Sequence, residues 1–319
     1  MNTSNILMEF RTIQASVIKN LFESIKEILV DVNIMFNENS MQCTAIDGNK
    51  VALVHFQLDT HRFEYYNCQP GPPLIIGINM NSIYKLIKPV TPGDTIIMKV
   101  YKNERCKLYI IIENTEKHTR TSSVLKLLDI DQEIIDIPDV EFDNIITIPC
   151  SDFQRHCKDI MTVSDKVTFL CHENMFAMKC TGDFADLMIE IQQPTKSNAI
   201  ENSESQLNDD VHEPNTKKKH RHKSKKQVTP DFLVLQPSLP ENTPSCLDDS
   251  FINDEICDRF TDVNITGTFS LKYVNLFIKS SSLCSNVEIY LKKGYPLILI
   301  YRIGSLGKVQ FCLAPNHDD

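Results

Sequence analysis

The chain has 319 residues, 42% of them hydrophobic and 24% charged, a length that suits two domains of common size. A mean hydropathy of −0.21 and no apolar run near about 18 residues exclude a helical membrane span. The net charge of −9 excludes a protein that coats nucleic acid with its whole surface, so any contact with a polyanion is local.

The opening MNTSNILMEF lacks the basic-then-apolar order of a secretory signal. Eleven scattered cysteines form no CxxC pair, and the expectation is reduced thiols in an intracellular compartment. Residues 16–29 (SVIKNLFESIKEIL) set Val17, Leu21, Ile25 and Ile28 on one stripe, which predicts a first helix. Strands at 32–36 and 41–45 flank a NENS turn, and strands at 51–58 and 74–78 follow. Residues 81–88 (NSIYKLIK) predict a second helix, opened by an Asn cap at Asn81 and stopped by Pro89. Strands at 95–100 and 108–112 close the first half, and one at 145–148 opens the second. A third helix at 151–161 turns Phe153, Cys157 and Ile160 to one side, before strands at 167–170, 176–180 and 187–191.

Residues 194–262 differ from the rest. They are polar and charge-segregated, carry KKKHRHKSKK at 217–226, and hold Pro230, Pro237, Pro240 and Pro244, the profile of an unstructured insertion. The basic run reads as a solvated linker, a DNA contact or a nuclear-import signal. A fourth helix at 270–279 points Leu271, Val274 and Ile278 inward, and strands at 287–291, 296–302 and 309–313 end the chain. Many antiparallel strands with few helices mean an α+β fold. Each half runs strand, helix, then a hairpin with a Glu-Asn turn, at Glu38-Asn39 and at Glu173-Asn174. Duplication of one domain explains that order; chance recurrence is the alternative.

No enzyme signature stands out. GxGxxG, GxxxxGK[ST] and HExxH are missing, and no Cys/His spacing resembles a zinc site. SxxK occurs at Ser16–Lys19 and Ser82–Lys85 without its companion elements. Asp129 with Asp131, Asp248 with Asp249, and His156 beside Cys157 read as ordinary surface or core residues, as do His220 and His222 within the lysine run. Charge placement says more. The four helices carry Lys19, Lys26, Lys85, Lys88, Arg155, Lys158, Lys272 and Lys279 against Glu23, Glu27, Asp152 and Asp159, a basic excess on an acidic chain. One shared surface for these helices would be positive; four separate solvated faces are the plainer alternative.

Several stretches in order then carry a resemblance: Met8-Glu9-Phe10-Arg11 into SVIKNLFESIKEI, QCTAIDGNKVALVHFQL at 42–58, KLLDIDQEIIDIP at 126–138, IPCSDFQRHCKDI at 148–160, and TFSLKYVNLFIKSSSL with the terminal CLAPN. Together they resemble the proliferating cell nuclear antigen family, the ring-shaped sliding clamps of replication, in the form found in large cytoplasmic DNA viruses of asfarvirus type. The resemblance implies a DNA-clamp fold, with two similar domains that keep antiparallel sheets outside and two helices each on the inner face. The domains would span 1–121 and 143–319, joined by a connecting loop at 122–142, with the second interrupted at about 194–262.

It further implies a processivity factor with no catalysis, cofactor or metal, closed head-to-tail as a homotrimer around duplex DNA. A monomeric clamp-fold accessory factor of a DNA polymerase is the alternative. The eight basic residues above would face DNA, with Asn20 standing where the family commonly has a further lysine. Subunits would join through edges at 108–113 and 187–191, using Leu108, Ile110, Ile112, Leu187, Ile189 and Ile191. DNA polymerase and other replication or repair proteins would insert short peptides into a pocket of Ile46, Leu53, Ile135, Ile137, Pro296, Ala314 and Pro315. Core packing is the alternative for these residues, above all for Leu53 and Pro296. The place of action would be inside the host cell, at a cytoplasmic replication site or in the nucleus, with no membrane partner.

Overall fold

Among the described residues, alternating apolar residues fold into three antiparallel sheets, and four amphipathic helices cover them. The computed structural model describes residues 5–131, 135, 140–142, 144–172, 175–192 and 265–316. The insertion at 194–262, its basic run, the turn Glu173-Asn174 and Ile137 lie outside the described residues.

The first half runs β1 (Ile6–Thr12), α1 (Ala15–Ile25), β2 (Asp31–Phe36), β3 (Ser40–Ile46), β4 (Ala52–Asp59), β5 (Tyr65–Cys68), β6 (Leu74–Asn79), α2 (Met80–Ile87), β7 (Thr95–Tyr101), β8 (Glu104–Asn114) and β9 (Thr119–Lys126). The second runs β10 (Asn144–Pro149), α3 (Cys150–Met161), β11 (Lys166–His172), β12 (Met175–Thr181), β13 (Asp186–Gln192), β14 (Ile265–Ser270), α4 (Leu271–Phe277), a 3-10 turn (Ile278–Ser282), β15 (Asn286–Leu291), β16 (Leu297–Ile303) and β17 (Gly307–Leu313).

The sheets are ordered β5-β1-β7-β8-β9, β10-β15-β16-β17-β4-β3-β2-β6 and β13-β12-β11-β14. One pattern occurs twice. Strands β10-β15-β16-β17 repeat β1-β7-β8-β9, and β4-β3-β2-β6 repeat β13-β12-β11-β14. The halves are stitched where β17 pairs antiparallel with β4, Val309 opposite Phe56 and Phe311 opposite Val54. All four side chains are fully buried. Phe311 also stacks on Phe277 of α4 at 4.8 Å between ring centres.

Helix α1 buries Ala15, Ile18, Leu21, Phe22 and Ile25, so its inward stripe is turned from the expected one and Val17 is only half-buried. It ends at Ile25, yet Ile28 and Leu29 stay buried through a turn whose amides bond to the Ile25 carbonyl. The cap of α2 is Asn79 rather than Asn81: its side chain accepts from the Ser82 amide at 3.0 Å. The four helices form one contiguous layer. Helix α1 touches α2, α4 and the 3-10 turn, and α3 touches α4 and that turn.

One expectation is overturned. Residues 108–113 are not an edge, because β8 is held between β7 and β9, and Leu108 and Ile110 are buried. The edge is β9, TRTSSVLK, whose Thr and Ser residues give no apolar alternation. The other expected edge holds: β13 pairs on one side with β12, and Leu187, Ile189 and Ile191 pack partly against the core.

The segment after β9 lies along β6. Leu128 donates its amide to the Gly77 carbonyl at 2.8 Å, and Asn33 Nδ2 donates to the Ile130 carbonyl at 3.0 Å. A Cβ on residue 77 would stand 2.4 Å from the Leu128 carbonyl oxygen, so only glycine lets the segment seat there.

Candidate functional site

The face of the helix layer turned from the sheets carries the basic residues, but they are not equivalent. Lys85, Lys88, Lys158 and Lys272 are exposed, and their ammonium groups have no hydrogen bond or ion pair among the described residues. Arg155 is exposed, with Nη2 3.5 Å from Asp152, a solvated i,i+3 pair of little strength. The other three are committed within the chain. Lys19 Nζ donates to the Val90 carbonyl at 2.9 Å. Lys26 Nζ lies 3.3 Å from Glu27 and 5.1 Å from the centre of the Tyr84 ring, while Lys279 pairs with the same Glu27. Lys279 foremost, then Lys26, holds the Glu27 carboxyl below its usual range against the opposing effect of partial burial. Glu23 accepts from the Tyr84 hydroxyl at 2.6 Å. Glu23 on α1 and Glu27 just past its end therefore brace α1 against α2 and the 3-10 turn, and the wall's open charge comes from α3, α4, and α2 with its C-cap.

A second site lies across the sheet from the helices. On β17, Val309, Phe311 and Leu313 face the core, so Lys308, Gln310 and Cys312 face outward by strand alternation. With Leu53 of β4, Tyr290 of β15, and Ile298 and Ile300 of β16 they floor a groove of about 440 Å³. The strand ends Ile46 of β3 and Ala52 of β4 and the loop residues Lys50, Val51, Val140, Phe142, Tyr295, Pro296 and Ala314 complete it. Phe142 meets Tyr290 edge-on at 5.4 Å and Tyr295 at 6.3 Å. Ile46 is 43% exposed and Tyr295 37%, so apolar surface faces water here.

Of the residues expected in this pocket, Ile46, Leu53, Pro296 and Ala314 line it, and Leu53 and Pro296 are half-buried rather than core. Ile135 and Pro315 are half-buried outside the lining. The aromatic trio and the β16 isoleucines were not foreseen. The isoleucines have a signal in PLILIYRI, a run apolar on both faces of one strand, which requires a cover on each side.

A polar network ties the groove to the helix wall. Tyr273, next to Lys272 on α4, donates its hydroxyl to Asp47 Oδ2 at 2.8 Å and accepts from Asn49 Nδ2 at 2.9 Å. Asp47 Oδ1 accepts from the amides of Val51 and Ala52, each at 2.8 Å, and so shapes the loop that forms one groove wall. Burial alone would raise the Asp47 carboxyl, but these amides and the Tyr273 hydroxyl together hold it below its ordinary value. Its contribution to stability is complete above the ordinary Asp range and disappears as pH falls through the lowered folded value. Tyr273→Phe is expected to cost about 1–3 kcal/mol by urea unfolding at neutral pH, with the difference shrinking in acid.

Comparison with known proteins gives the following. The family described as proliferating cell nuclear antigen, N-terminal domain, matches residues 7–134, and its C-terminal domain matches 136–218 and 253–316. The "Probable DNA polymerase sliding clamp 1" of Paramecium bursaria Chlorella virus 1 is 32% identical over 315 residues, 99% of each chain. The proliferating cell nuclear antigen of Chaetomium thermophilum is 26% identical over 313 residues, 98% of this chain and 99% of its own. A crystal structure of proliferating cellular nuclear antigen from Entamoeba histolytica shares the fold, with a TM-score of 0.72 and 20% identity over 98% of this chain and 99% of that one.

Proposed function

This chain belongs to the proliferating cell nuclear antigen family, and from that premise we propose that it closes head-to-tail into a homotrimeric sliding clamp that encircles duplex DNA and tethers replication proteins. The observation that carries the reading is the repeated sheet order. The junction β17–β4 is satisfied inside the chain, whereas its counterparts, β9 and β13, are both open edges among the described residues. Joining β9 of one copy to β13 of the next gives β1-β7-β8-β9-β13-β12-β11-β14, the order already built within the chain. Because the two edges differ, each contact leaves another pair free, and a chain of such contacts ends only by closing into a ring. Two long exposed edges are thereby removed.

The contiguous helix layer then lines the hole. Lysine ammonium groups act as point charges on phosphates and read no bases, so the ring slides without sequence preference. The groove lies on the opposite face and receives a short partner peptide with apolar anchors, from a DNA polymerase or another replication or repair protein. The protein works without catalysis of its own, inside the host cell where viral DNA is copied.

Mass measured by light scattering across concentrations tests the assembly. A species of three chain masses is expected, dissociating on dilution. A single chain mass at every concentration supports the monomeric accessory factor instead.

A further inference from the structure

The register of the joint between copies follows from the internal joint, given the ring proposed above. In one half the ladder runs from Thr12, the last buried residue before α1, to Ile96, Ile112 and Thr121. In the other it runs from Ile148, the last buried residue before α3, to Val287, Tyr301 and Val309. Thr121 therefore stands where Val309 stands. Likewise Phe36, Met41 and Leu58 form one ladder, and Cys171, Phe176 and Ile191 the other, so Ile191 stands where Leu58 stands. Within the chain Lys308 is opposite Gln57. Between copies that pair becomes Arg120 opposite Glu190, with Asp186 one diagonal step from Lys126.

The joint between copies is chemically unlike its template. Val309–Phe56 and Phe311–Val54 become Thr121–Ile189 and Ser123–Leu187, so hydroxyls replace an aliphatic and an aromatic side chain on the inner face. Apolar burial contributes less there. The charges are sorted instead: β9 carries Arg120 and Lys126 with no acid, and β13 carries Asp186 and Glu190 with no base. All four are exposed. In the single chain Arg120 Nη1 lies 3.4 Å from Glu113 on β8, an exposed contact that leaves the guanidinium free to be shared.

We infer that a charge code closes the joint between copies, Arg120 and Lys126 against Glu190 and Asp186, and that rising ionic strength opens this joint while the internal one stays shut. Opposite charges favour the head-to-tail pairing, and like charges oppose β9 on β9 or β13 on β13. Salt acts on exposed pairs because the screening length falls from about 10 Å at 0.1 M to about 3 Å at 1 M. The internal joint, apolar and within one chain, has no such dependence.

Sedimentation equilibrium on the full chain tests the code. Arg120→Glu and Glu190→Arg are each expected to weaken association roughly tenfold per joint and to flatten its salt dependence. The double reversal in one chain restores the trimer, and that chain does not co-assemble with wild type. Single reversals that leave trimer strength and salt dependence unchanged overturn the code and leave the ring intact. A double reversal that stays dissociated also overturns it. A wild-type chain that is monomeric at every concentration and low salt removes the ring, and the code with it.

Discussion

Replacing Lys85, Lys88, Lys158 and Lys272 together by alanine is expected to make the log–log salt dependence of duplex binding shallower by about 3 to 4, near 0.9 for each lost phosphate contact. Affinity at low salt falls by at least about 100-fold, and the trimer mass does not change. These ammonium groups are exposed and unpaired among the described residues, and none lies on β9 or β13. Replacing Lys26 and Lys279 gives the contrast. Both hold Glu27, so their loss releases the brace between α1 and the 3-10 turn and moves the salt slope less. Titration of a short duplex at several salt concentrations separates the two sets. Equal slopes for both would refute the division of the wall into open and committed charge.

Gly307→Ala is expected to destabilise the chain by about 4 kcal/mol or more. A Cβ at residue 307 would stand 2.0 Å from the Gln57 carbonyl oxygen, where a backbone group on each side leaves nothing flexible to yield. Strand β17 would have to leave β4, exposing Val309, Phe311, Val54 and Phe56, the apolar seam between the halves. Gly48→Ala is the control, since nothing lies within 4 Å of a Cβ there, and its effect stays within about 0.5 kcal/mol. Thermal unfolding of both variants measures the difference.

Much of this architecture is legible along the chain because most elements bury one face. The four helices show it at helical spacing, and strands such as β4 and β17 alternate cleanly. Residue pattern alone left four strands unread: β1, which entered only through the resemblance at Met8-Glu9-Phe10-Arg11, and β5, β9 and β14, which are sheet-edge strands. An edge strand meets a neighbour on one side only and keeps more polar residues, so its pattern resembles a loop. Missing β9 shifted the expected subunit contact one strand inward, onto the buried Leu108 and Ile110.

The two candidate faces were legible in kind and not in detail. The eight basic residues read from helix position all sit on the helix layer or its turns, yet which are open depends on Lys19 meeting Val90 across 71 residues and Lys279 meeting Glu27 across 252. No local pattern encodes such contacts. The groove shows the same limit. Ile46, Leu53, Pro296 and Ala314 were named by family register, whereas Phe142, Tyr290 and Tyr295 converge only once the sheet is formed.

Retention on DNA of different topology tests encirclement most directly. Chain loaded on closed circular duplex and washed at a salt concentration that abolishes phosphate contacts should stay bound, then leave when one cut linearises the circle. Equal loss from circular and linear duplex in that wash would contradict a ring threaded by DNA.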